Sequence, residues 1–81
     1  MPWTTKDDAL NGAFQFTDFT TAFTFMTEVA FAAESAGHHP EWTNVYNRVN
    51  IRLTTHDAGN TITDKDHSLA AAITKIYEKY A

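Results

Sequence analysis

Cysteine is absent from the 81 residues, which excludes disulfides and thiolate metal sites and fits a reducing compartment. Cations are few: six Lys and Arg against ten Asp and Glu give a net charge of -4 with the four His neutral. They are scattered and form no basic stripe. That argues against nucleic acid as a partner, because binding it needs clustered cations that displace counterions. Long apolar runs are missing too. None approaches the roughly 20 residues that cross a bilayer, and Met1-Pro2-Trp3-Thr4 has neither the charged nor the apolar region of a secretory signal. The expectation is a cytoplasmic protein with no membrane partner. Only three Gly and two Pro are present, and no linker, internal repeat or low-complexity stretch occurs.

What the chain does have is apolar and aromatic material. Hydrophobic residues make up 43%, and six Phe, three Tyr and two Trp supply the large rings that bury most area per residue. One domain, residues 1–81, is expected. A chain this short buries only about 60% of the surface it exposes when unfolded, so self-association would help it.

Trp3 to Phe16 reads as a hairpin. Trp3-Thr4-Thr5-Lys6 is strand-like, Asp7-Asp8 is a turn, and Leu10, Gly12, Phe14 and Phe16 share one parity of a second strand. Gly12 is a candidate bulge. A helix is predicted over Asp18 to Ala36, with Thr17 as N-cap and Asp18 favouring the positive end of the dipole. Its stripe is Phe19, Ala22, Phe23, Met26, Val29, Ala30 and Ala33. Phe25 and Phe31 fall off that stripe and suggest a subunit contact. Gly37 occupies the left-handed position after the helix, and Pro40 follows.

Trp42 to Tyr46 reads as a strand or extended arm. Val49, Ile51 and Leu53 alternate with Arg48, Asn50 and Arg52 in the next strand. Asp57-Ala58-Gly59-Asn60 is a loop. A last helix is predicted from Asp64 to Tyr80, opened by a capping box of Thr63 and Asp66, with Leu69, Ile73, Ile76, Tyr77 and Tyr80 as its stripe. The fold class is therefore α+β: a two-layer ββ-α-ββ-α domain with an antiparallel sheet and both long helices on one face.

Three histidines, His38, His39 and His56, lie at a helix end or a strand end, where side chains converge without entering the core. Imidazole titrates near pH 6.5 and gives or takes a proton at neutral pH. Two imidazoles on opposite sides of a flat ring could serve as acid and base in a dehydration. Each residue also has a plainer reading. Surface histidines are mostly inert, Glu34 could be a solvated helix residue, and Asp66 could be only a helix N-terminal residue. His67 reads as solvent-exposed. Trp42 and Tyr46 read as core rather than substrate-stacking residues. A metal site from Glu34, His38, His39 and His56 is disfavoured, because the helix ends before His38 and adjacent histidines point apart.

Glu34, His38, His39, Pro40, Tyr46, His56 and Asp66 together resemble the pattern of the pterin-4a-carbinolamine dehydratases. In animals these are also called dimerisation cofactors of a homeodomain transcription factor. The flanks are similar as well: Glu41-Trp42-Thr43-Asn44-Val45-Tyr46-Asn47 and Phe16-Thr17-Asp18-Phe19. The likeness runs from Trp3 to the last helix. It implies His38, His39 and His56 as catalytic residues, and Glu34, Thr55 and Asp66 as substrate-binding residues. It also implies a small-molecule pterin substrate, no cofactor, no metal, and a homodimer or homotetramer. The implied reaction is dehydration of 4a-hydroxytetrahydropterin to quinonoid dihydropterin. The alternative is a non-catalytic dimerisation or assembly module on the same fold, which has no need of all three histidines. Two departures stand out. Gly37 replaces an acidic residue that many relatives carry, and Lys65 stands where many have Arg. The extra N-terminal helix of longer relatives is not expected in a chain whose first strand starts at Trp3.

Overall fold

The computed structural model describes residues 3–80. The N-terminal Met1-Pro2 lies outside them. Two hairpins and two helices alternate: β1 Trp3–Lys6, β2 Ala9–Gln15, α1 Phe19–Ala36, β3 Glu41–Val45, β4 Arg48–Leu53 and α2 Asp64–Tyr77. The strands form one antiparallel sheet in the order β1-β2-β4-β3. This is the α+β, ββ-α-ββ-α arrangement that strand parity and helical stripes predicted.

The turns follow from their residues. Lys6 pairs with Ala9 across Asp7 and Asp8, whose φ values are 53° and 59°. A two-residue hairpin with both central residues at positive φ matches strand twist, and Asp tolerates that conformation. In the second hairpin Tyr46 takes φ 50°, unusual for a bulky residue. Asn44 braces it, donating from Nδ2 to the carbonyls of Tyr46 and Arg48 at 3.2 and 2.8 Å. Asn47 then donates to the Phe16 carbonyl at 2.9 Å, and its own carbonyl accepts from the Phe16 amide at 2.9 Å. The Asn44-Val45-Tyr46-Asn47 text is thus a turn that pins β4 to the end of β2.

Leu10, Phe14, Val49, Ile51 and Leu53 turn one face of the sheet toward the helices. Ala22, Phe25, Val29 and Ala33 of α1 and Leu69, Ala70 and Ile73 of α2 cover it. The opposite face shows Thr4, Ala13, Gln15, Thr43 and Asn50 to solvent. Trp3 and Tyr77 fasten the last helix to the first hairpin. Trp3 donates from Nε1 to the Thr74 hydroxyl at 2.8 Å, and the Tyr77 hydroxyl donates to the Gln15 carbonyl at 3.1 Å.

Several expectations are corrected here. The N-cap of α1 is Asp18, not Thr17: the Asp18 carboxylate accepts from the Thr21 amide at 2.8 Å. An ionised cap satisfies an orphan amide and meets the helix dipole with one group. Phe25 is fully buried, whereas Phe19 and Phe23 of the expected stripe are exposed together with Phe31. The inward face of α1, which keeps Ala22, Val29 and Ala33 of the expected stripe, is rotated by roughly 50° at about 100° per residue, because Phe25 is the ring that meets Phe14 and Phe16, with centroids at 5.2 and 4.9 Å. Tyr46 is exposed rather than core. Helix α2 ends at Tyr77, and Glu78, Lys79 and Tyr80 form a turn.

Gly12 makes no bulge. It pairs in unbroken register with Trp3 on one side and Ile51 on the other. Its lack of a side chain is used by the Trp3 ring: a Cβ there would lie 2.8 Å from two Trp3 ring carbons and 2.9 Å from the Phe14 ring. Overpacking of that kind costs about 1–3 kcal/mol. Gly12→Ala should therefore lower the urea midpoint at an unchanged slope. A midpoint at or above that of the parent chain would show that the indole moves aside freely.

Candidate active site

The site is assembled from three chain ends. Helix α1 terminates at Gly37, with φ 64°. The Gly37 amide donates to the Glu34 carbonyl and the His38 amide to the Ala33 carbonyl, both at 3.1 Å. These paired bonds satisfy the last carbonyls and fix the direction in which His38 leaves the helix. After β4, the Thr55 amide bonds the Thr61 carbonyl at 2.9 Å, closing a loop whose first residues, His56–Ala58, form a single 3₁₀ turn. The closed loop brings Thr63, the N-cap of α2, back against Thr55.

These ends enclose an open cavity of about 280 Å³ lined by Gly37, His38, His39, Thr54, Thr55, His56, Asp57 and Lys65. All three histidines singled out from the sequence line it. They differ in setting. The His38 side chain is only 11% exposed, whereas that of His39 is 67% exposed. His56 is exposed on the 3₁₀ turn. His67 is exposed and does not line the cavity.

Asp66 stands behind His38. Its side chain has 0% exposure, and its Oδ1 lies 2.6 Å from His38 Nε2. Its Oδ2 accepts from the Thr55 hydroxyl at 2.6 Å and from the Thr63 amide at 2.9 Å, the latter completing the capping box. Burial pushes the Asp66 carboxyl up, but the bonds from Thr55, His38 and Thr63 outweigh it and hold the group below its ordinary value of 3.8. It is therefore ionised at neutral pH and can only accept. Neutral His38 must then carry its proton on Nε2, which leaves Nδ1 as the free acceptor of the ring.

Glu34 reaches the exposed side of the site, where its Oε1 lies 2.8 Å from His39 Nε2. Both partners are solvated, so this contact steers His39 more than it stabilises the fold. Thr55 and Asp66 are directed inward: each is buried, with its side-chain oxygens engaged in the bonds just given. Tyr46 sits at the far end of β3 from His39 and does not line the cavity. The residues that sequence reasoning did not assign to the site are Gly37, Thr54, Asp57 and Lys65, which line the cavity, and Thr63, which meets Thr55 behind it. Asp57 was signalled only by its adjacency to His56, and Thr63 only by its capping role. Among the described residues no three His, Asp or Glu converge as metal ligands. A larger hollow of about 450 Å³ lies on the open face of the sheet, but its only charged groups, Arg52 and Glu41, face each other at 3.4 Å. Of the two, the histidine cavity is the one lined by imidazoles.

The chain is thus a small α+β domain with histidines at the end of one helix and in the loop before the other. Residues 1–76 match the family model described as pterin 4 alpha carbinolamine dehydratase, and the chain belongs to that family. A protein of Opitutus terrae, provisionally named a pterin-4-alpha-carbinolamine dehydratase, is 50% identical over 91% of this chain and 76% of its own length. One of Rhodopseudomonas palustris, with the same provisional name, is 58% identical over 85% of this chain and 67% of its own. Among solved structures, the transcriptional coactivator/pterin dehydratase of Brucella melitensis superposes with a TM-score of 0.89 at 42% identity, covering 94% of this chain and 82% of that one. A pterin dehydratase-like protein described as a RuBisCO assembly factor of the alpha-carboxysome superposes with a TM-score of 0.75 at 22% identity, covering 93% and 86%. At that identity it shares the fold.

The Asp66 network gives a pH signature. Because its carboxyl is held below 3.8 in the fold, the stability it contributes is present above that value. That stability disappears as pH falls through the lower folded value. Denaturant unfolding from pH 7 down to pH 3 should show an acid limb that Asp66→Asn flattens. At pH 7 the same change should cost about 1–3 kcal/mol, the penalty of disrupting buried hydrogen bonds. An acid limb identical in both proteins would assign it to other carboxylates.

Proposed function

We propose that the chain dehydrates a 4a-hydroxytetrahydropterin, the 4a-carbinolamine, to the quinonoid dihydropterin and water, in the recycling of tetrahydrobiopterin or a related pterin. The observation that supports this most is the single open cavity lined by His38, His39 and His56 in a chain of this family. In the reaction the C–OH bond breaks as the neighbouring ring nitrogen loses its proton and its lone pair forms the new double bond. One proton is delivered to the departing hydroxyl and one is taken from nitrogen, so the protein ends with the protons it started with. No Lewis acid is needed, because the nitrogen supplies the electrons.

His38 and His56 are the acid–base pair and exchange roles between turnovers. His38 is suited to it by Asp66, which fixes the proton on Nε2 and stabilises the imidazolium when the ring is charged. His39, held by Glu34, binds and orients the pterin from the exposed side. Asp66 acts through His38 rather than on substrate, since its oxygens are occupied internally. A pterin is flat and polar, and a shallow cavity rich in polar groups suits it.

Loss of one general acid–base group costs about 10² to 10⁴ in rate. His38→Ala and His56→Ala should each lose that much in a stopped-flow assay with freshly generated 4a-hydroxypterin. His39→Ala should mainly raise KM. Full rate in both of the first two variants would sink the mechanism.

We further propose a cytoplasmic homo-oligomer, dimer or tetramer, assembled through the outer face of α1. Phe19, Phe23 and Phe31 are exposed there, Phe31 to 74%, and no charged side chain but Glu34 shares the outer surface of the helix with them, Glu28 being tied to Lys79 and Tyr80. Light scattering at micromolar concentration should give a multiple of 9.1 kDa. Phe23→Glu with Phe31→Glu should reduce the mass toward a single chain, and a monomeric parent would refute the assembly.

A further inference from the structure

We propose that Thr55 and Thr63 are positioning residues whose hydroxyls form a one-way hydrogen-bond relay that fixes the Asp66 carboxylate and, through it, the tautomer and orientation of His38. The function of His38 rests on the dehydratase reading; the relay itself can be examined without substrate.

The direction of the relay is set at its two ends. At one end the Lys65 amide lies 3.3 Å from Thr63 Oγ1. An amide only donates, so the Thr63 oxygen accepts there and its own proton points elsewhere. At the other end Thr55 Oγ1 lies 2.6 Å from Asp66 Oδ2. An ionised carboxylate only accepts, so the Thr55 proton is committed to Asp66. The two hydroxyl oxygens are 2.5 Å apart, and with both ends fixed only Thr63 can donate in this middle bond. The relay therefore runs from the Lys65 amide through Thr63 and Thr55 to Asp66 Oδ2. Asp66 Oδ1 remains for His38 Nε2, at 2.6 Å. Successive donors pointing the same way polarise one another toward the carboxylate.

Only a hydroxyl can accept at one side and donate at the other in so small a space. An alanine or valine at either position breaks the relay, whereas serine preserves it. Thr55 has 5% exposure and its proton is already used. A pterin could engage that hydroxyl as a donor only by taking it from Asp66. This separates the relay from the substrate contact that family resemblance implies for Thr55: a positioning role moves kcat, a contact made equally in ground and transition states moves KM. The relay also joins folding to function, because Oδ2 caps α2 while Oδ1 holds the imidazole.

The test combines ring-nitrogen NMR of the free protein near neutral pH with dehydration kinetics, for the parent chain, Thr55→Val, Thr55→Ser and Thr63→Val. Circular dichroism reports folding. The parent His38 should show the Nε2–H tautomer. Thr55→Val should mix the tautomers and lower kcat by on the order of ten- to a hundredfold, the worth of a bond to a charged group, with KM within about twofold of the parent. Thr55→Ser should restore both readouts. Thr63→Val should shift the same signals in the same direction by less. Should Thr55→Val fail to fold, Thr63→Val against Thr55→Ser decides. A raised KM at unchanged kcat in Thr55→Val, or parent-like His38 signals in both valine variants, overturns the relay. A parent chain that does not turn over the carbinolamine counts against the dehydratase reading alone, and the His38 signals then decide the relay.

Discussion

A buried carboxylate is tolerated only when its charge is fully met. Asp66 meets that condition with the His38 imidazole, the Thr55 hydroxyl and the Thr63 amide, drawn from the end of α1, the end of β4 and the start of α2. Among the described residues no buried side-chain nitrogen or oxygen lacks a partner. The three chain ends are held at one point because leaving this group unpaired would be expensive. The cavity beside them is a consequence of that closure. Its polar lining comes from loops and caps, and the apolar layer between sheet and helices lies apart from it.

Much of this was legible in the sequence. Parity identified β2 and β4, with Phe14, Val49, Ile51 and Leu53 facing inward, and composition identified the Asp7-Asp8 turn but not the one at Tyr46-Asn47. Gly37 and the Thr63–Asp66 box marked helix ends by their chemistry. The histidines were found because residues at helix and strand ends escape the core. What failed has a common cause. Phe19, Phe23 and Phe25 lie on one helix, and period 3.6 permits two overlapping apolar stripes. Which one faces inward depends on Phe14 and Phe16, rings that belong to another element. Gly12 was misread for the same reason: the ring that needs its missing Cβ comes from β1. Thr63 looked complete as a cap, and nothing local shows that its hydroxyl also meets Thr55.

The site is graded from wet to dry. His39 and Glu34 stand in solvent, His56 lies on an exposed turn, and His38 is nearly enclosed with a charged partner at its back. Electrostatic interactions strengthen along that gradient as water is removed. Histidines of one sequence neighbourhood are thereby given different properties by backbone placement alone. The left-handed Gly37 is the pivot of that placement, since it lets the chain turn off the helix axis without strain.

The bond from Trp3 to Thr74 joins residues 71 apart in the chain. Such a contact forms only after a long loop has closed, and loops of that kind slow folding because the entropy is lost before the contact is gained. Hairpins and α1 can organise locally, but the indole of Trp3 finds its hydroxyl partner only when α2 has docked. One of the two tryptophans is therefore an optical reporter of α2 docking, and its emission distinguishes a collapsed chain from one whose second helix is in place. The same docking sets the start of α2 beside His38. Emission from Trp3 thus registers, in a chain with no ligand bound, the moment at which the histidine cavity closes.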